Sequence, residues 1–141
     1  VIATGARPRR IAIPGLPAEG ALTNESVFQL PAAPRHLAIV GGGVIGMELA
    51  FAFCALGSRV SVITTAVRVM DTFLPEVSAA LEASLRAKGV AVYAGAAAHS
   101  YDEASATLRI ERDGQLDGLE GVDSVLIAVG RERNLAGLGL E

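Results

Sequence analysis

The chain has 141 residues, of which 51% are hydrophobic and 19% charged, a composition typical of one packed globular domain rather than a disordered segment. Its formal net charge of -3 gives no general attraction to nucleic acid or to an anionic membrane surface. No apolar stretch approaches the roughly 20 residues that a membrane-spanning helix needs, because charges and glycines interrupt each one.

The first 34 residues have little periodicity and contain five of the six prolines, which is typical of a connector. Residues 1–3 form a short β-type run, so we expect the end of a strand there. One turn of helix is expected from 24 to 30, with Asn24 as its cap and Pro31 as its stop. The sequence begins without Met and without a basic leader. We therefore expect it to be a segment of a longer protein.

Apolar strands and helices alternate regularly from Arg35 onward. Continuous apolar runs are typical of parallel strands buried on both faces, and helical spacing of apolar residues separates these runs. The order strand, helix, strand, helix, strand predicts a parallel sheet with right-handed crossovers. The expected elements are a strand at 37–40, a helix at 44–56, a strand at 60–64, a helix at 75–88 and a strand at 90–93.

Residues 96–119 interrupt this alternation. The segment 107–112 alternates like an antiparallel strand, and Asp113-Gly114 is a strong hairpin turn, so we interpret the region as a β-meander inserted as a crossover. A buried apolar strand then follows at 125–129. The sequence predicts an α/β fold: a Rossmann-type parallel sheet with helices on both faces and an inserted antiparallel β-meander crossover.

A glycine motif, Gly41-Gly42-Gly43-Val44-Ile45-Gly46, lies between the first strand of this sheet and its helix. In the spacing GxGxxG the first glycine permits a tight turn, the second lets the backbone approach a pyrophosphate, and the third lets helix and strand pack closely. The helix N-terminus offers unpaired N–H groups and partial positive charge to the phosphates. A glycine-rich turn without a ligand would not explain this spacing. The motif therefore predicts dinucleotide binding.

The choice between NAD and NADP depends on the end of the second strand, where a carboxylate favours NAD by binding the adenosine ribose. Thr64 and Thr65 stand there, and neither is acidic. Arg68 is the nearest candidate to bind a 2′-phosphate. The missing carboxylate removes a repulsion against NADP, which slightly favours NADP or the use of both cofactors.

Three segments together resemble the flavoprotein pyridine nucleotide-disulfide oxidoreductases, which include glutathione reductase, dihydrolipoamide dehydrogenase, mercuric reductase and soluble transhydrogenase. Residues 1–8 are similar to the segment that touches FAD before the chain enters the NAD domain. Residues 34–48 are similar to the nucleotide fingerprint, and residues 124–134 to the strand that leads back toward the flavin. The resemblance covers essentially the whole chain.

The resemblance implies roles for single residues at matching positions. Glu48 matches a glutamate near the nicotinamide carboxamide, and Val44 stands where some members carry a tyrosine lid over the flavin. Ala98 falls near an adenine contact and Gly130 near a nicotinamide contact. The FAD-proximal residues of a longer parent protein would be Ala3, Thr4 and Gly5.

The same resemblance implies a domain organisation. Residues 1–34 would be a connector from an FAD domain, 35–130 the NAD(P)-binding domain, and 131–141 a return segment toward the FAD domain. The family's own FAD-binding GxGxxG, its redox CxxxxC pair and its dimerisation domain do not occur in this sequence. We therefore expect the chain to bind NAD or NADP without turnover, within a homodimeric, FAD-dependent parent enzyme.

Two other interpretations stay open or are disfavoured. A non-catalytic Rossmann-like module that acts through protein contacts would show the same fold and bind no nucleotide. A flavodoxin-type or FAD-binding Rossmann domain is disfavoured because FAD-binding versions also usually carry the acidic residue missing at Thr64.

His36 and His99 lack the spacing of metal ligands, which predicts no metal site. The single cysteine, Cys54, favours a buried inert thiol and a cytoplasmic location.

Overall fold

The computed structural model describes residues 1–139, which form ten β-strands, two α-helices and one short 3-10 helix. The helices are α1 (Val44–Ala55) and α2 (Pro75–Ala87), and the 3-10 helix is Ser26–Gln29. The strands are β1 (Ala6–Pro8), β2 (Ala21–Leu22), β3 (His36–Val40), β4 (Arg59–Thr64), β5 (Ala91–Ala94), β6 (Ala97–Asp102), β7 (Thr107–Arg112), β8 (Gln115–Leu119), β9 (Ser124–Ile127) and β10 (Arg131–Arg133).

Five strands form one parallel sheet in the order β2-β9-β3-β4-β5. The chain runs outward from β3 through β4 to β5, and then returns to place β9 on the other side of β3. The strand order therefore reverses at β3 and β9, with Leu37 opposite both Val60 and Ser124. Ligands of open α/β sheets bind at such a switch point, beyond the carboxyl ends of the strands.

The two faces of this sheet bury alternate residues of each strand. On one face, Leu37 and Ile39 pack with side chains of α1, α2 and the 3-10 helix. On the other face, Ala38 and Val40 pack with the antiparallel sheet β6-β7-β8. Since both faces are covered, β3 is buried along its whole length, as its continuous apolar run predicts.

The predicted Rossmann-type parallel sheet with a β-meander crossover is confirmed, with one correction to its layers. We expected helices on both faces, but among residues 1–139 both α-helices contribute to the same hydrophobic cluster, and the meander covers the opposite face. The meander can do this because Leu108, Ile110 and Leu119 are buried against the sheet. The predicted hairpin turn is confirmed by positive φ at Asp113 and Gly114.

Three features of the region before residue 35 differ from the sequence-based expectations or are absent from them. No strand forms at residues 1–3; β1 lies at Ala6–Pro8 and pairs with β10 as an antiparallel ribbon. The turn at Ser26–Gln29 is capped by Thr23 rather than Asn24, because the Thr23 hydroxyl accepts the N–H groups of Glu25 and Ser26 at 3.3 Å. Finally, β2 joins the edge of the parallel sheet beside β9.

Candidate functional site

The glycine motif forms the turn between β3 and α1, and two of its glycines are required by close backbone contacts. Gly41 has φ +126°, and a Cβ at this position would collide with the carbonyl oxygen of Ala128 in the strand-end segment after β9. A Cβ at Gly46 would collide with the carbonyl oxygen of Gly41. The first and third glycines therefore let the turn close tightly between β9 and α1.

Gly43 is under no such constraint. Its φ of -83° is open to any residue, and a Cβ there would meet no heavy atom within 4 Å. Packing within the described chain therefore does not explain a glycine at this position. The absence of a side chain matters only if something outside the chain approaches the backbone here, which is the role of the second glycine in a pyrophosphate turn.

Helix α1 begins at this turn with free backbone donors. Gly43 is its N-cap and supplies no side chain, and the first turn contains no acidic residue. The N–H groups at the start of an α-helix have no partner within the helix and carry partial positive charge. This end of α1 can therefore receive an anion.

A cavity of about 530 Å³ lies at the carboxyl ends of β3, β4 and β9, next to the start of α1. Its walls are mostly backbone and small apolar side chains, which leaves room for a flat, extended ligand. The lining residues are Ile11, Val40, Gly41, Gly42, Gly43, Val44, Ile45, Ile63, Thr64, Thr65, Ala66, Asp71, Ala96, Ala97, Ala98, Ala128, Val129 and Gly130.

The structure brings most of the sequence-predicted residues together around this cavity. Those that line it are Gly41, Gly42, Gly43, Val44, Ile45, Thr64, Thr65, Ala98 and Gly130. Gly46 lies behind the turn, where it lets α1 approach Gly41. Glu48 is exposed on α1 and does not line the cavity.

Ala3, Thr4 and Gly5 lie away from the cavity, beside the β1–β10 ribbon. The Asn134 side chain donates a hydrogen bond to the Thr4 carbonyl at 3.1 Å, and the Asn134 N–H donates to the Gly5 carbonyl at 3.0 Å. The segments before β1 and after β10 are thus held next to each other.

Arg68 also does not line the cavity, although the sequence placed it as a candidate for a 2′-phosphate. Its Nη2 atom donates to the carbonyl oxygens of Asp71 at 2.9 Å and Phe73 at 3.4 Å, and its Nε is buried without a hydrogen-bond partner. The guanidinium therefore braces the loop between β4 and α2.

The lining residue of most consequence that sequence reasoning missed is Asp71. A ribose-binding carboxylate is expected at the end of β4, whereas Asp71 lies seven residues beyond Thr64, in the following loop. The loop turns back at Met70, which has φ +51° and whose N–H donates to the Gly42 carbonyl at 2.7 Å. The sequence shows that this loop contains a carboxylate. It does not show that the loop folds back onto the glycine turn, because that depends on a tertiary contact.

The remaining polar candidates have structural partners. His36 is buried, with Nδ1 at 3.0 Å from the Glu120 carbonyl and Nε2 at 3.0 Å from the Ser61 hydroxyl. Burial, reinforced by the positive charge of Arg59, lowers the pKa of His36, while the Glu120 hydrogen bond and Asp123 oppose this shift. Within residues 1–139, no three His, Cys, Asp or Glu side chains lie close enough to hold a metal ion.

Cys54 is half-buried rather than fully buried, and its thiol donates to the Lys88 carbonyl at 3.3 Å. Among the described residues, no helix combines the length and the apolar character that crossing a membrane requires.

The family model for pyridine nucleotide-disulphide oxidoreductases matches residues 1–141, the whole chain. The chain is 36% identical to a dihydrolipoyl dehydrogenase of Bacillus subtilis, covering 100% of this chain and 30% of that protein. It is also 36% identical to a mercuric reductase of Staphylococcus aureus, covering 100% of this chain and 26% of that protein. The chain thus spans about a third or less of the length of these relatives.

Solved structures give the same picture. A ferredoxin reductase from Rhodopseudomonas palustris superimposes with a TM-score of 0.81 at 28% identity, over 94% of this chain and 34% of that one. The protein LpdA from Mycobacterium tuberculosis superimposes with a TM-score of 0.79 at 31% identity, over 97% of this chain and 29% of that one.

Proposed function

Because the chain belongs to the pyridine nucleotide-disulphide oxidoreductase family, we propose that its cavity binds a nicotinamide dinucleotide, NAD(H) or NADP(H). The observation that carries this proposal is Gly43, whose position next to the cavity has no internal reason to lack a side chain. In a longer flavoprotein this segment would present the reduced nucleotide to FAD for hydride transfer. The FAD would supply the redox chemistry, and the chain would supply binding and orientation.

The lining residues divide the cavity into three regions for such a ligand. The pyrophosphate would lie over Gly43 at the start of α1, where backbone N–H groups and the helix dipole favour negative charge. The adenosine ribose would lie beside Thr64 and Thr65 at the end of β4, with adenine toward Ala98. The nicotinamide would then lie toward Val44 and Gly130.

The proposed domain organisation assigns residues 35–130 to nucleotide binding, with 1–34 and 131–141 leading from and to an FAD domain. The pairing of β1 with β10 supports this assignment, because it holds the incoming and outgoing segments side by side. Strand β2 and the buried side chains of Ile13 and Val27 show that the incoming segment also packs on the sheet. A homodimeric parent and a cytoplasmic location stay predictions.

Two alternatives make different predictions for the same cavity. A non-catalytic interaction module would bind no nucleotide, and a flavin site would bind FAD more tightly than NADH. Calorimetric titration of the folded chain with NADH, NADPH and FAD separates the three cases. We expect a nicotinamide nucleotide to bind with a micromolar or weaker Kd and to bind more tightly than FAD.

The matched variants are Gly43→Ala and Gly118→Ala. A methyl group at Gly43 enters the space that we assign to the pyrophosphate, so affinity should fall by about tenfold or more while the fold is retained. Gly118 lies in β8 of the meander, and a Cβ there would lie 3.4 Å from the Thr107 methyl group; this variant should bind like the original chain. Absence of nicotinamide nucleotide binding to folded protein, or unchanged affinity in Gly43→Ala, would contradict the proposal.

A further inference from the structure

We infer that Asp71 makes this site select NAD(H) and reject NADP(H). The inference rests on the proposed function and goes beyond it, because the glycine turn serves either cofactor equally. It also reverses the slight preference for NADP that the missing carboxylate at Thr64 suggested.

Asp71 is the only charged residue among those that line the cavity within residues 1–139. Its side chain is exposed, and its carboxylate forms no hydrogen bond or ion pair with another described residue. Because this carboxylate is not bound in an ion pair, its negative charge acts on whatever occupies that end of the cavity.

The position of Asp71 is fixed by its neighbour Met70. The Met70 N–H donates to the Gly42 carbonyl at 2.7 Å, which joins the loop to the glycine turn. The Met70 carbonyl accepts the Phe73 N–H at 2.9 Å and the hydroxyl of buried Ser78 at 3.0 Å, which joins it to α2. Gly42 in turn lies against Thr64, since a Cβ at Gly42 would be 2.9 Å from the Thr64 Cβ. Asp71 is therefore held close to the glycine turn, on the side of the cavity that Thr64 lines.

This end of the cavity is where a Rossmann-type site holds the adenosine ribose. NAD(H) has a 2′-hydroxyl there, which can donate a hydrogen bond to a carboxylate, whereas NADP(H) has a 2′-phosphate. The phosphate would face the Asp71 carboxylate at short range and be repelled by it.

Arg68, the sequence-based candidate for binding a 2′-phosphate, does not relieve that repulsion. Arg68 donates through Nη2 to the carbonyls of Asp71 and Phe73, so its guanidinium is used inside the loop. No lysine or arginine is among the cavity-lining residues in the described part of the chain. A 2′-phosphate would thus meet one anion and no cation.

The test compares NADH and NADPH binding by calorimetry for the original chain, Asp71→Asn and Asp117→Asn. Asp117 lies on exposed β8 of the meander, so its variant removes the same charge away from the cavity. We expect the original chain to bind NADH about tenfold or more tighter than NADPH. Asp71→Asn should reduce the ratio of the two affinities, chiefly by tightening NADPH binding. Asp117→Asn should leave this ratio unchanged.

The salt dependence of the NADH and NADPH affinities distinguishes an electrostatic role of Asp71 from a purely structural one. Raising salt to about 1 M screens exposed charges beyond about 3 Å, so the NADPH deficit of the original chain should shrink. In Asp71→Asn the same salt change should alter the ratio of the two affinities far less. Melting curves of each variant verify that the fold is retained.

Equal or tighter binding of NADPH by the original chain would overturn the inference, as would an unchanged ratio in Asp71→Asn. Failure of the proposed function has a different signature, since neither nucleotide would then bind to folded protein. That result would show that the cavity is not a nicotinamide nucleotide site, and Asp71 would then have no cofactor to select.

Discussion

At the scale of single residues, the glycine turn shows how one motif combines packing and binding requirements. Gly41 and Gly46 lack side chains because the Ala128 and Gly41 carbonyls occupy the space that a Cβ would fill. Gly43 faces open space at the cavity. A substitution of Gly41 or Gly46 tests the fold. A substitution of Gly43 tests ligand binding, because it causes no steric conflict within the chain.

His36 predicts a pH dependence of stability. Because burial lowers its pKa from the ordinary value of 6.5, the unfolded chain binds the proton more readily than the folded chain. The stability contribution is therefore fully present above pH 6.5 and is lost as pH falls from 6.5 toward the lowered pKa. Urea unfolding between about pH 8 and 5.5 should show a falling free energy of unfolding.

The controls for this prediction are the two histidine variants. His36→Gln should remove most of the pH dependence in that window, whereas His99→Gln, at an exposed site in β6, should retain it. An equal slope in the original chain and His36→Gln would show that another group is responsible.

Single residues also mark where sequence reasoning reached its limit at the site. The glycines, Thr64, Thr65, Ala98 and Gly130 were predicted to line one site because a strand-turn-helix motif and a family resemblance fix their positions. Arg68 could not be placed correctly, since its guanidinium bonds to carbonyls of its own loop. Asp71 was missed because the positive φ of Met70 turns the loop back toward Gly42.

At the scale of elements, one carboxylate joins the amino ends of β3 and β9. Asp123, just before β9, accepts the backbone N–H groups of Arg35 at 3.0 Å and His36 at 3.1 Å. Its own N–H donates to the His36 carbonyl at 3.2 Å. This set of bonds aligns the two strands whose opposite ends form the cavity.

Asp123→Ala should lower the free energy of unfolding by about 1–3 kcal/mol, because it removes the acceptor of the Arg35 and His36 N–H groups. Asp123→Asn should cost less, since its amide oxygen can still accept one of them. Urea titrations at pH 8 measure both. A smaller loss for the alanine variant than for the asparagine variant would contradict this account.

Elements with a strong local pattern were predicted, and elements defined by distant pairing were not. The strand β3, the helices α1 and α2 and the meander turn follow from apolar runs, helical spacing and turn residues. In contrast, β2 has two residues, too few to show any period. The β1–β10 ribbon pairs Arg7 with Glu132, and no local signal in either segment predicts such a partner.

At the scale of the whole molecule, the parallel sheet separates a helical face from a meander face and leaves the cavity at the carboxyl ends of its strands. The apolar runs of the strands predict that both faces are covered, but the helices expected on both faces cover only one of them. The alternating residues of the meander cover the other face, because they provide an apolar face as a helix would. The layers thus leave the strand ends free for a ligand.

Binding of a nicotinamide dinucleotide across the glycine turn can be tested by backbone amide chemical shifts measured during NADH titration. We expect the largest shift changes at Gly41, Gly42, Gly43 and the first turn of α1, with further changes at Thr64 and Thr65. The amide chemical shifts of β7 and β8 in the meander should change little. Shift changes confined to other surfaces, or no shift changes at saturating NADH in folded protein, would show that no nicotinamide dinucleotide binds across the glycine turn.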